Sequence, residues 1–334
     1  MRALLVGAGG MGKTWARNLA STEDVHLAGW VDVRPGAASE ASRELAIDPD
    51  YQGEDLRKAA DTCAPDFVVD VSSPEAHHDV TVAALRMGLP VLGEKPMAAT
   101  MEQARAMVKA SEDAGKLYMV SQSRRYDSGL VAYRRLIQER LGGLGILNAD
   151  FYIGAHFGGF RDEMDSPLLL DMAIHTFDEA RFLSGQDGLW VYAEEFNPAW
   201  SWYKGAACAN AVFEMSGGLR FCYRGSWCSD GMPTSWDGNW RAVGPNGAAC
   251  WDRNEEPVAE TVLQHEGFMR PVERTQQPKA ELKAGIAGSL QEFLNSLATG
   301  SKPQGECHDN IRSLAMVFAA VESSKTQKRV SVSV

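Results

Sequence analysis

Six residues near the start, Gly7-Ala8-Gly9-Gly10-Met11-Gly12, constrain this chain more than any other segment. They lie between an apolar run at residues 2–6, which reads as a buried strand, and a helical stretch at residues 13–21. A second strand at residues 25–31 leads into Asp32, 20 residues after Gly12. A glycine triplet alone is a weak signal. Strand, glycine turn, helix and a terminal acid in this order form the dinucleotide-binding fingerprint. Gly7 permits the tight turn, Gly9 lets backbone approach a pyrophosphate, and Gly12 lets the helix pack closely. The helix start, with Gly10 and Met11, offers free N–H groups and a positive dipole end to phosphates. Asp32 suits both ribose hydroxyls of NAD, because a 2′-phosphate would meet its charge. Arg34 leaves NADP open: it either offsets that repulsion or is a solvated loop charge.

The alternation continues. Residues 66–71, 90–93 and 118–120 read as strands, and residues 78–87 and 101–114 as helices stopped by Gly88 and Gly115. Strands separated by helices predict βαβ units and a buried parallel sheet, an α/β Rossmann fold. Ligands of such sheets bind at the carboxyl ends of the strands. Ser72-Ser73-Pro74 leaves the third of these strands and Glu94-Lys95-Pro96 the fourth. A lysine after a strand is by itself usually a surface charge. At this edge Lys95 can hydrogen-bond a substrate hydroxyl and share its proton.

Residues Gly7 to Gly12, Asp32, Ser73-Pro74 with His78 four residues on, and Glu94-Lys95-Pro96 together resemble the glucose–fructose oxidoreductase / inositol dehydrogenase / rhizopine catabolism (Gfo/Idh/MocA) family. The resemblance spans the whole first domain, and the Glu-Lys-Pro triplet is its most specific part. It implies that Ser72, Ser73, Pro74, His78, Glu94 and Lys95 border the cofactor. Ser123-Arg124-Arg125-Tyr126 resembles the family's segment between domains, which usually has Asn where Ser123 stands. Arg125 carries over as a residue near cofactor and substrate, and Tyr126 as a substrate-side candidate. At about 150 residues per domain, the length accommodates two. The expected division is a dinucleotide-binding domain at 1–122 and an α+β substrate and oligomerisation domain at 123–334.

In the second half, Ser166 suits an N-cap and Pro167 the first helical position, ahead of a helix at 168–183 closed by Gly185. Asp171 and His175 stand at i and i+4 on one face, with Asp178 following at i+7. Read alone, they make an exposed polar stripe. They also match the Asp-x-x-x-His motif of the same family, normally written with Gly near Ala173. The resemblance implies that His175 is the general base and that Asp171 positions the substrate or the imidazole. It implies too that Lys95 stabilises negative charge on the same hydroxyl. Asp178 adds a hydrogen bond or is structural. His156 and Arg161, with Phe157 and Phe160, precede the helix and read as pocket wall. No HExxH or cysteine cluster supports a metal at His156, Asp171 and His175, so none is expected.

Strands at 146–153, 188–195, 206–214 and 219–226, with turns at 215–218, 236–240 and 244–247, predict an open, largely antiparallel sheet with one face on helices. Helices at 284–298 and 309–324 complete the chain. The resemblance implies that the other face mediates dimerisation, giving a homodimer or homotetramer. Seven of the nine tryptophans fall between residues 190 and 251. For most of them a sheet core or subunit interface is the favoured reading, and the rest are free to stack on a sugar.

Composition closes off other classes. The formal charge is 33 − 44 = −11, which opposes general nucleic-acid binding. No apolar stretch reaches about 18 residues, so no membrane span is expected. Six cysteines without a CxxC pair read as free thiols in a reducing, cytoplasmic setting. The strand-like start leaves no room for a signal peptide. The expected function is an NAD(P)-dependent dehydrogenase of a sugar, sugar derivative or cyclic polyol. Two alternatives stand beside it: an NAD-using glycosidase of the same fold, and a non-catalytic dinucleotide-binding regulator.

Overall fold

Alternating apolar strands and amphipathic helices build the first sheet. In chain order these are β1 (Arg2–Val6), α1 (Gly10–Ser21), β2 (His26–Val31), α2 (Ala37–Leu45), β3 (Tyr51–Gly53), α3 (Leu56–Cys63), β4 (Phe67–Asp70), α4 (His77–Arg86), β5 (Val91–Gly93), α5 (Met101–Ala114) and β6 (Tyr118–Val120). The computed structural model describes residues 1–334. It divides them into two units, Met1–Ser123 with Gly285–Ile311, and Arg124–Ala284 with Arg312–Val334.

The six strands run parallel in the order β3-β2-β1-β4-β5-β6, the doubly wound Rossmann order. The sequence reading found five; the short β3, bordered by α2 and α3, lacks an apolar run and escaped it. Val31, Val6, Asp70, Gly93 and Val120 stand in register along one edge. Every segment that follows a strand therefore emerges on that edge. Ala3, Leu4, Leu5, Phe67, Val68, Val69, Val91 and Leu92 are fully buried, as expected of a sheet covered on both faces.

The second unit contains α6 (Ser128–Arg140), β7 (Ile146–Tyr152), α7 (Ala173–Ser184), β8 (Gly188–Phe196), β9 (Cys208–Met215), β10 (Arg220–Ser226), β11 (Asn239–Gly244), β12 (Gly247–Trp251), β13 (Val258–Val262) and β14 (Val272–Gln276). Then come α8 (Gly285–Thr299), α9 (Cys307–Thr326) and β15 (Val330–Ser331). The second sheet is ordered β14-β13-β12-β11-β7-β10-β9-β8-β15. All its pairings are antiparallel except the central β7–β10 pair. Burial alternates along β9 and β10 with period two. The inward residues Phe213, Phe221 and Tyr223 meet Phe177 of α7 at centroid distances of 4.8, 6.1 and 5.3 Å.

Four expectations need correction. The division at 122/123 puts α8 with the second sheet, but α8 packs on the first, where Phe293 meets Phe67 edge-on at 5.5 Å. The Asp-Gly turn at 236–240 is not a hairpin, because no strand precedes it to pair with β11; Asp237 is instead buried beside Arg253, 2.6 Å away. The turn at 244–247 does join two paired strands, β11 and β12. The helix after Pro167 begins with one wide π turn, Leu168–Met172, whose closing bond runs from the Ala173 N–H to the Leu168 carbonyl. No side-chain cap forms at its start, and the Ser166 hydroxyl donates to Glu195 at 3.1 Å. The tryptophans divide as well. Trp227, Trp240 and Trp251 are buried, while Trp190, Trp200 and Trp236 are exposed.

Candidate functional site

In the first unit the glycine turn works by close approach. Gly7 has φ +105°, and a Cβ there would lie 2.5 Å from the Val71 carbonyl oxygen. A Cβ on Gly12 would lie 2.2 Å from the Gly7 oxygen, so α1 can start this close to β1 only without a side chain. Gly9 and Gly10 are the opposite: a Cβ on either meets nothing within 4 Å. No side chain caps α1, and the first amides of a helix have no partner within it. Exposed Met11 stands in the same turn. Open space against uncapped amides fits a pyrophosphate.

Asp32 follows β2 at the same edge and is buried. Its Oδ2 accepts the Ala8 N–H at 2.7 Å. Arg34 grips it in a fork, Nε to Oδ1 and Nη2 to Oδ2, both at 3.0 Å, and adds its own backbone N–H at 2.9 Å. Burial works against the charge, but the Arg34 and Ala8 hydrogen bonds outweigh it and hold the carboxyl below its usual range. Arg34 is thus ion-paired with Asp32 while its own side chain stays largely exposed.

After β4, the Asp70 Oδ1 accepts the Ser72 N–H and hydroxyl at 3.1 and 2.6 Å. Its Oδ2 accepts the Thr81 hydroxyl at 2.9 Å. Ser73 is exposed and Pro74 half-buried in the loop beyond. The histidine that reaches this cluster is His77, fully buried with Nδ1 3.2 Å from Asp70. Burial opposes its protonation, yet Asp70, with Glu94 and Glu75 beyond, raises its pKa. His78, the expected cofactor-loop residue, instead pairs with Asp79 at 2.7 Å and lines a groove between α4 and α5. Neighbours on a helix point about 100° apart, and only position 77 faces the strand end.

After β5, the Glu94 Oε1 accepts the Trp15 indole N–H at 2.7 Å, and its Oε2 accepts the Lys95 N–H at 3.1 Å. Desolvation raises the Glu94 pKa. The Lys95–Pro96 bond is cis, and Lys95 is half-buried.

The second unit holds the other candidates. Asp171 sits in the π turn and His175 in the first turn of α7, both half-buried. The Asp171 Oδ2 accepts from Arg161 Nε at 2.6 Å. His156 stacks on Trp202 with centroids 3.6 Å apart and stands 3.4 Å from Asp230. Asp178 is not available to a substrate. It is buried, with Oδ2 held by Arg125 Nε at 2.7 Å and Oδ1 held by Arg125 Nη2 and the Ser313 hydroxyl, each at 2.6 Å. Arg125 thereby binds both oxygens of Asp178, and the Tyr126 hydroxyl is shut off from solvent. Sequence reasoning missed a buried charge group behind α7. Arg124 lies 3.6 Å from Glu179 and 3.4 Å from Asp237, and burial pushes the Glu179 carboxyl well above its usual range against the pull of Arg124. It also missed His77, although the His-His pair was its signal.

Glu306, Cys307 and His308 bring three ligand atoms within 4.8 Å of one another. Lys302 stands 2.8 Å from Glu306, and burial pushes the Cys307 thiol up. No helix is long and apolar enough to cross a membrane, and all six cysteines are free.

A Rossmann sheet with an uncapped glycine turn and a strand-terminal acid on its carboxyl edge defines a dinucleotide-binding domain. Residues 1–122 match the model of the oxidoreductase family with an NAD-binding Rossmann fold, Gfo/Idh/MocA. The inositol 2-dehydrogenase of Rhizobium meliloti is 25% identical, across 98% of this chain and 98% of its own. Among solved structures, an oxidoreductase from Agrobacterium radiobacter in complex with NAD+, L-tartaric acid and magnesium superposes with a TM-score of 0.88. It is 19% identical and covers 99% of this chain and 98% of its own. A levoglucosan dehydrogenase in complex with NADH and L-sorbose reaches 0.83 at 19% identity, over 100% and 99%. Residues 1–122 are therefore an NAD-binding Rossmann domain of the Gfo/Idh/MocA oxidoreductase family, and the protein is an NAD(P)-dependent oxidoreductase.

Proposed function

We propose that the protein oxidises a secondary hydroxyl of a cyclic polyol or sugar, with Lys95, Asp171 and His175 as its reacting set. The observation that carries this reading is that Lys95 leaves β5 on the same carboxyl edge of the sheet from which the glycine turn and Asp32 leave β1 and β2. Bound NAD supplies the hydride acceptor. His175 takes the hydroxyl proton as general base. Lys95 donates a hydrogen bond to the same oxygen and stabilises its developing charge. Asp171 orients the ring that carries the hydroxyl. The full-length likeness to an inositol 2-dehydrogenase supports a polyol. NAD is the preferred dinucleotide, with NADP tolerated through Arg34.

The same reading includes self-association through the open face of the second sheet, where Ile146, Trp190, Tyr192 and Val212 are exposed. Light scattering would show a dimer or tetramer. A cytoplasmic setting goes with an enzyme that draws on a cellular dinucleotide pool.

The test is a screen of inositols, pyranoses and sugar acids with NAD and NADP, read at the reduced-nicotinamide absorbance. Lys95→Ala should lower kcat by about 10²–10⁴ and leave NAD binding nearly intact. Glycoside cleavage without net reduced cofactor, or full turnover in Lys95→Ala, would overturn the reading.

A further inference from the structure

Asp171 is carried by a π turn, a segment wider than the helix it opens. Such turns displace side chains from the regular helical path, so the carboxylate needs a tether from elsewhere. Arg161 supplies it. This residue belongs to a short 3-10 turn, Gly159–Glu163, and reaches Asp171 with an Nε–Oδ2 distance of 2.6 Å. Its guanidinium carbon lies 5.0 Å from the Phe157 ring centroid and 4.7 Å from that of Phe160. Phe157 in turn meets the buried Trp227 edge-on at 5.5 Å and Trp236 at 6.2 Å. A cation on aromatic faces is held by their quadrupoles. Phe160 is otherwise exposed.

We propose that Arg161 is a positioning residue. Clamped by Phe157 and Phe160, it fixes the Asp171 carboxylate in the orientation that the reaction uses. This rests on the reading above, in which Asp171 acts on the substrate. The guanidinium suits the task because it is flat enough to lie on the rings while Nε donates from its edge; an ammonium does only one of these. Misplacement of a reacting group by about 1 Å costs roughly 10²-fold in rate.

The test compares Arg161→Ala, Arg161→Lys, Phe160→Ala and Asp171→Asn, with polyol oxidation, melting temperature and ethylguanidine rescue as readouts. Arg161→Ala should lose about 100-fold in kcat/KM, mostly in kcat, with the melting temperature nearly unchanged. Ethylguanidine should restore at least about tenfold of that loss. Arg161→Lys should stay impaired, and Phe160→Ala should lose about tenfold. Full activity in Arg161→Ala while Asp171→Asn is inactive overturns the positioning role alone. So does failure of ethylguanidine to restore any turnover. Full activity in Asp171→Asn overturns the functional reading beneath it.

Discussion

The carboxyl edge of the first sheet and the α7 end of the second unit are built from different materials. The first is mostly backbone: a glycine turn, uncapped amides and strand ends held in register, with Asp32 and Glu94 tied to main-chain N–H groups. The second is mostly side chain: Arg161 on Asp171, Arg125 on Asp178, and Arg124 with Glu179 and Asp237. Backbone constructions depend on local sequence and tolerate few substitutions. Side-chain constructions depend on residues brought from far along the chain, and each pair fails when one partner is removed.

The largest expected effect falls on the side-chain region. Asp178→Ala leaves the Arg125 guanidinium buried without its partner, a loss of about 3–5 kcal/mol for a broken buried pair. Calorimetry should show a clearly lowered transition, and a melting temperature equal to the parent's would break the contrast.

A smaller effect should appear on the backbone side. Gly12→Ala forces a methyl against the Gly7 carbonyl, 2.2 Å away, an overpacking cost of about 1–3 kcal/mol. Its sharper readout is binding. NAD at 100-fold its Kd stabilises by about 2.7 kcal/mol, and that thermal shift should disappear. A normal NAD-induced shift in Gly12→Ala would mean that the turn is not the receptor.

The smallest effect is a change in the shape of a pH profile. Burial pushes the Glu195 carboxyl up to about 7, against a weaker opposing bond from Ser166. The folded state therefore binds its proton more tightly than the unfolded chain. The stabilisation is full below the ordinary carboxyl range and is lost as pH rises through about 7. Glu195→Gln stays neutral throughout, so it should gain melting temperature relative to the parent between pH 4.5 and about 7 and level off above. Parallel profiles would show that Glu195 does not titrate this way.

The same contrast explains what could be read in advance. The parallel alternation, the glycine turn, Asp32 and the Glu94-Lys95 exit are local patterns whose physical requirements are written within a few residues. The short β3 lacks an apolar run, so it was missed. His77 and His78 could not be told apart without the direction of the helix. Asp178 read as a continuation of the Asp171–His175 stripe because nothing local shows that Arg125, 53 residues earlier, would occupy both its oxygens.

By itself the sequence determined the parallel alternation of strands and helices, the glycine turn and the acid at the end of β2, because steric and hydrogen-bonding demands of neighbours in the chain leave few alternatives. Only the tertiary structure decided that His77 is the buried partner of Asp70, that Asp178 is a structural anion, and that Arg161 holds Asp171. Those pairings follow from which side chains share a desolvated space, and burial makes a charge seek the nearest opposite charge however distant it is in sequence.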